Sequence, residues 1–154
     1  MKSLSHLDEQ NKPKMVDVTD KEESYRIAQA RGSILINRET INLIVENKIK
    51  KGNVLITAEL AGVQAAKKTW DLIPLCHNLI LSKVHVEARI IEDGVEVVSE
   101  VKCIGQTGVE MEALTAVSIA LLTIYDMCKA ADKGMIIREV KLIKKEKKKR
   151  IEYK

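Results

Sequence analysis

The chain has 154 residues, 45% of them hydrophobic but only 3% aromatic and with no Phe, so it can form one domain around an aliphatic core. Its formal charge of +4 joins unlike parts: residues 141–154 hold eight Lys and Arg against two Glu, whereas residues 1–140 hold 18 against 20. A net-negative body excludes a broad basic nucleic-acid surface, and neither a signal peptide nor an apolar run of the roughly 18 residues a membrane span needs is expected.

In chain order, residues 1–14 are polar and aperiodic and are expected to form a mobile N-terminal arm. Residues 15–145 are expected to form a single α+β domain, and residues 146–154 a basic C-terminal tail. Such a tail is either a solvated end or a source of phosphate attraction. Residues 25–36 (YRIAQARGSILI) alternate and end in an aliphatic run, which predicts a strand. Asn37 then reads as an N-cap, with Ile41, Ile44 and Val45 on one face of the following helix. After the break at residues 50–53 (KKGN), Leu55, Ala58, Gly62, Ala65 and Ala66 fall at helical spacing, and their small side chains predict close helix packing.

Residues 71–78 (DLIPLCHN) connect that helix to a hairpin. Val84, Val86, Ala88 and Ile90 alternate with polar residues, Glu92-Asp93-Gly94 makes the turn, and Val95, Val97, Ser99, Val101 and Cys103 alternate again. Thr107-x-x-Glu110 has the pattern of a capping box opening a long helix that Lys133-Gly134 would close. That helix is uncharged between Glu112 and Asp126, so it should be buried. Residues 136–143 predict a last strand. The order is the ferredoxin-like β-α-β-β-α-β plan, an antiparallel sheet with helices on one face and an extra helix in the first crossover. The uncovered sheet face predicts homo-oligomerisation through the sheet or its edges.

Several residues could do chemistry. Asp126 and Lys129 share a helix face; they are either a surface ion pair or a proton-transfer couple. Glu110 and Glu112 lie about 200° apart on a regular helix, so both cannot face one ligand from it. Glu110 is explained by capping; Glu112 is not, and suits the N–H edge of a guanine- or pterin-like ring. His77 is either structural or catalytic. Cys76 and His77 are adjacent, which is poor metal-ligand spacing, and no zinc site is completed. Lys51 precedes a helix start, where a cation and free N–H groups can hold phosphate. Cys76, Cys103 and Cys128 form no CxxC and fit reduced thiols of a cytoplasmic protein.

Together, MVDVT at 15–19, KG at 51–52, AGVQAAKKTWDLIPLCHNLILSKV at 61–84, TGVEMEALTA at 107–116 and IYDMCKA at 124–130 closely resemble the MoaC family, the cyclic pyranopterin monophosphate synthases of molybdenum cofactor biosynthesis. The resemblance spans residues 15–145 in order. It implies a lyase that takes 3′,8-cyclo-7,8-dihydroguanosine 5′-triphosphate to cyclic pyranopterin monophosphate and releases diphosphate. It also implies a ferredoxin-like fold, a hexamer built as a trimer of dimers with sites between subunits, and a functional link to a preceding radical enzyme.

Carried over residue by residue, the resemblance makes Asp126, Lys129 and Lys51 catalytic. It gives substrate binding to Arg26, Leu75, Cys76, His77, Glu110, Met111, Glu112 and Lys145. A triphosphate needs several fixed cations; Lys51 and Arg26 are the first candidates, with Lys145 beside them. No metal site and no required cofactor are expected, beyond Mg2+ accompanying the triphosphate. No membrane and no specific nucleic acid are expected as partners. The rival readings are a non-catalytic ligand-binding regulatory oligomer and an RNA-binding ferredoxin-like module. The two ends of the long helix lie roughly 20 Å apart at about 1.5 Å per residue, so both should reach one pocket only through different subunits.

Overall fold

The computed structural model describes residues 7, 8 and 10–149. The elements are β1 (Ser24–Leu35), α1 (Arg38–Val45), α2 (Val54–Lys67), the one-turn α3 (Thr69–Leu72), β2 (Leu81–Ile91), β3 (Gly94–Gly105), α4 (Glu110–Cys128) and β4 (Ile136–Lys149). The four strands form one sheet in the order β2-β3-β1-β4, and every neighbouring pair is antiparallel. This is the ferredoxin-like topology predicted from the element order. Most of the proposed N-terminal arm, residues 1–6 and 9, lies outside the described residues, as do residues 150–154 of the basic end.

Local chemistry explains the helix starts. The Asn37 side chain accepts from the Thr40 N–H at 2.8 Å, and that of Asn53 from the Ile56 N–H at 3.0 Å. Each satisfies a donor that the first turn leaves free. Ile41 and Ile44 enter the core, but Val45 is 66% exposed, because it is the last residue of an eight-residue helix and has turned past the buried face.

The core lies between the helices and the inner face of the sheet. Ala28, Ala30 and Ile34 of β1, with Val95, Val97, Val101 and Cys103 of β3, meet the Ala113, Ala116, Val117, Ala120, Leu121 and Ile124 side of α4. Burying such side chains is worth about 25 cal/mol per Å2 of apolar surface. Ser99, fully buried on the same face, donates to the Ala113 carbonyl at 2.8 Å and satisfies its hydroxyl. Helix α2 crosses close to α4 at Gly62, where a Cβ would meet the Val86 side chain at 2.9 Å and the Ala116 carbonyl oxygen at 3.0 Å. By length and composition α4 would suit a membrane crossing, yet half of its apolar window is buried against α2 and the sheet, as in a core helix.

Further expectations are corrected. Helix α4 starts at Glu110 with Val109 as its N-cap, and no side chain caps it, so Thr107 and Glu110 form no capping box. The Glu110 carboxylate is drawn instead to Lys145 of β4. The helix also ends at Cys128, five residues before Lys133. Asp132 is nearly buried, and its carboxylate accepts the Gly134 N–H at 2.8 Å and the Asn37 N–H at 2.7 Å, a local alternative to further helix.

The basic end is, as far as Lys149, no solvated tail. It is the second half of β4, with Glu146, Lys147, Lys148 and Lys149 paired to Ile27, Arg26, Tyr25 and Ser24. The open sheet face is laced with ion pairs. Glu100 is held there by Gln29 at 2.7 Å, Lys83 at 2.9 Å and Lys102 at 3.2 Å, and Glu96 by Arg89 at 2.9 Å. Lys83, Gln29 and Lys102 hold the Glu100 carboxyl down at about 2. Exposed apolar side chains occur on both sides, Ile104 and Ile136 on the open face and Ile56 and Leu60 of α2 and Met111 and Leu122 of α4 on the helical side.

Candidate active site

Residues at the C-terminal end of α4 form a three-residue ion cluster. The turn after α1 carries Lys51 just ahead of the α2 N-cap. Its ammonium donates to the Asp126 carboxylate at 2.6 Å and to the Asp126 carbonyl at 3.1 Å. Lys129, three residues along α4, binds the other carboxylate oxygen at 2.7 Å. Lys129 and Lys51, in that order, hold the Asp126 carboxyl down at about 2 despite a small opposing effect of burial, and Asp126 raises the Lys129 ammonium above its ordinary value. All three side chains are half exposed. The carboxylate is therefore ionised at neutral pH and both lysines face solvent with donors to spare, which suits an anionic ligand.

The N-terminal end of α4 is different. There a cavity of about 450 Å3 is enclosed by residues 16–21, the turn around residues 73–79, and residues 107–112. Leu75, Cys76 and His77 form one wall, and Glu110, Met111 and Glu112 the opposite one. His77 Nε2 lies 2.7 Å from the Val16 carbonyl oxygen, so that nitrogen carries the proton and fastens the residue 16–21 segment over the cavity.

Glu112 is only 4% exposed, and burial pushes its carboxyl up to about 7. Its own backbone N–H opposes that shift, and the neighbouring Glu110 charge adds to it. Burial also raises Glu110, but Lys145, its own backbone N–H and Arg26 outweigh it and leave that carboxyl below the ordinary range. The same walls thus hold one carboxyl poised between charge states and one firmly ionised, a pattern that separates acid from base roles.

Burial raises the Cys76 thiol, with Glu112 adding to the shift, so this cysteine is a wall rather than a thiolate nucleophile. Arg26 donates to the Gln106 carbonyl at 3.1 Å and the Gly105 carbonyl at 3.5 Å, which aims its guanidinium along the rim. Gly108 has no side chain where the Glu110 carboxylate lies; a Cβ there would collide with it.

The eleven residues singled out from the sequence therefore fall into two sets. Arg26, Leu75, Cys76, His77, Glu110, Met111, Glu112 and Lys145 meet around the α4 N-terminus. Lys51, Asp126 and Lys129 meet at its C-terminus, and one copy of the chain does not bring the sets together. Sequence reasoning missed Val16, Val18 and Lys21, which also line the cavity. It missed Asp132 as well, which ties the end of α4 to the residue that caps α1. Val16 and Val18 lay inside the MVDVT motif, but only a folded chain shows that this segment crosses the pocket. Among the described residues no group of three or more His, Cys, Asp or Glu is placed to hold a metal ion.

A ferredoxin-like domain whose longest helix carries a lysine-bracketed carboxylate at one end and, at the other, a pocket lined by two carboxyl groups and a histidine has the parts of a small-molecule enzyme. The comparisons with known proteins give the particular family. The MoaC family model matches residues 15–148. A cyclic pyranopterin monophosphate synthase of Methylobacterium sp. (strain 4-46) is 55% identical over 147 residues, 94% of this chain and 92% of the relative. The synthases of Peptoclostridium acidaminophilum and Novosphingobium aromaticivorans are each 51% identical, over 142 and 145 residues, which is 92% and 94% of this chain and 90% and 92% of the relatives. The chain belongs to the MoaC family.

Proposed function

We propose that the chain is a lyase performing the cyclic pyranopterin monophosphate synthase step of molybdenum cofactor biosynthesis. Its substrate is 3′,8-cyclo-7,8-dihydroguanosine 5′-triphosphate and its products are cyclic pyranopterin monophosphate and diphosphate. The observation that carries this reading is Asp126 held between Lys51 and Lys129, in a chain about half identical to synthases over nearly its full length.

The two residue sets divide the work. The cavity at the α4 N-terminus takes the purine-derived ring, with Glu112 facing its N–H edge. A carboxyl poised near 7 can accept a hydrogen bond when ionised and return a proton when neutral. The ion cluster serves the phosphate and proton-transfer steps. In the free protein Asp126 is a poor base, because two ammonium groups stabilise its charge. An incoming triphosphate competes for those ammonium groups, and as they turn to it the Asp126 carboxylate becomes more basic. A ribose hydroxyl then attacks the α-phosphorus and gives its proton to Asp126, the bond from the α-phosphorus to the bridging oxygen breaks, and diphosphate leaves with its charge offset by lysine. Mg2+ is the counter-ion expected to travel with the triphosphate.

Joining the sets requires a second copy. The stripe of α4 left outside the core runs through Met111, Thr115, Ser118, Ile119 and Leu122 to Asp126 and Lys129, and it is uncharged until its last turn. Two such stripes packed antiparallel about a two-fold axis would bury one another. They would also place the Glu112 end of one copy beside the Asp126 end of the other. A hexamer of three such dimers is the assembly proposed. A base-stacking RNA module has less support, since among the described residues the sheet carries a single aromatic, Tyr25, and its open face is occupied by ion pairs.

The direct test is incubation with the cyclised triphosphate, following diphosphate release and the fluorescence of the oxidised pterin product. Turnover abolished in D126A and K129A but present in the parent supports the reading. Normal turnover in folded, assembled D126A would remove it.

A further inference from the structure

Next to the ring cavity lies a second groove of about 560 Å3, and the two share Lys21, Thr107, Gly108 and Glu110 as a common border. Strand register builds its charge. Ala28 pairs with Lys145, Arg26 with Lys147 and Ser24 with Lys149, so these three lysines point to the same side of the sheet as Arg26. Lys144, Glu146 and Lys148 point to the opposite, open side. There Glu146 binds Lys144 at 3.0 Å and Lys148 at 3.5 Å, so both ammonium groups already have an acidic partner.

On the groove side only Lys145 has an acidic partner, Glu110, and Lys147 and Lys149 form no ion pair among the described residues. The groove therefore collects five cations (Lys21, Arg26, Lys145, Lys147 and Lys149) against the carboxylates of Glu22 and Glu110. Arg26 is held in place by two main-chain carbonyls.

We propose that Lys147 and Lys149 make this groove an anion subsite for the terminal phosphates of the substrate, the part that departs as diphosphate. The proposal rests on the reaction proposed above. A compact polyphosphate suits the groove better than a nucleic acid. The cations gather where the start of β1 meets the end of β4 and line one pocket, while the lysines on the adjoining open face of β4 share Glu146.

The test compares two charge-matched double variants at exposed positions, K147A/K149A on the groove side and K144A/K148A on the open side. Calorimetric binding of inorganic triphosphate needs no turnover, and it is paired with steady-state kinetics on the cyclised triphosphate. K147A/K149A should weaken inorganic triphosphate about tenfold and raise KM about tenfold, with kcat within twofold, while K144A/K148A changes both by less than twofold. Equal weakening by the two variants would show only a long-range field and overturn the subsite. So would an unchanged K147A/K149A, or a preference of the parent for single-stranded RNA that K147A/K149A abolishes. Triphosphate binding lost in K147A/K149A, in a parent that does not turn over the cyclised substrate, would keep the groove and remove the reaction.

Discussion

The two ends of α4 tune their carboxyl groups by opposite means. At the N-terminal end, burial acts on Glu112 and lifts it to about 7. At the C-terminal end, Asp126 stays in solvent and two lysines lower it to about 2. A buried group changes charge within the physiological range and depends on the packing around it. An exposed, ion-paired group keeps its charge and depends on its partners, which a competing anion can take away. One helix can hold both because its middle is uncharged and its length keeps the two environments from mixing.

The largest expected effect breaks the exposed end. K51A or D126A should lower turnover by about a thousandfold, the scale of a lost proton-transfer group. Neither should shift the thermal midpoint measurably, because the cluster is exposed and its pairs stabilise the fold little. Kinetics and a circular-dichroism melt on the same preparation check this; loss of folding would assign the cluster to stability instead.

The next effect belongs to the buried end. Glu112 is raised in the folded state, so its contribution to stability is fully present below its unfolded value near 4.5 and is lost as pH rises through about 7. The parent should lose up to roughly 3 kcal/mol between those limits from this group, an upper bound since water can enter on ionisation. E112Q, which cannot ionise, should flatten that part of the pH–stability curve. Denaturant melts of both proteins across pH 4–8 measure the difference, and parallel curves would contradict the buried carboxyl.

A smaller effect separates the cysteines. Burial raises Cys103 and Cys128 to about 11, with Glu112 and Asp132 respectively adding to the shift. Both should resist alkylation in the folded protein at pH 7.5, while Cys76 on the cavity wall reacts slowly and is protected by substrate. Mass spectrometry after timed iodoacetamide treatment reads each site. The smallest effect is on the open sheet face, where K83A should cost about 0.5 kcal/mol or less, since Gln29 and Lys102 still hold Glu100.

Much of the fold was legible wherever one residue's neighbours in sequence are also its neighbours in energy. Period-two alternation marked the hairpin. Asn37 sits at a helix start as a side-chain cap, and the small residues Ala58 and Gly62 announced a close helix crossing that proved to be α2 over α4. Apart from Val45, where α1 simply ends, the misreadings involve partners distant in the chain. Glu110 looked like a capping residue because its competitor, Lys145, is 35 positions away on β4. The Lys-rich end looked solvated because β1 supplies its pairing and its register. Asp132 ended α4 early through a hydrogen bond to Asn37, 95 positions earlier.

For the candidate site, the family motifs marked out residues that the fold gathers into clusters. Its division into two ends followed from helix length, because Glu112 and Asp126 are 14 residues apart on one rigid rod. The segment over the cavity was not legible, since nothing in MVDVT states that His77 will fasten to the Val16 carbonyl.

The central claim is that one site is assembled from the Glu112 end of one copy and the Asp126 end of another. Co-refolding E112A with D126A tests it most directly. Each variant alone should be inactive. In a mixed dimer one of the two sites receives both intact ends, so an equal mixture should recover about a quarter of parental turnover. A mixture as inactive as its components would contradict the shared site.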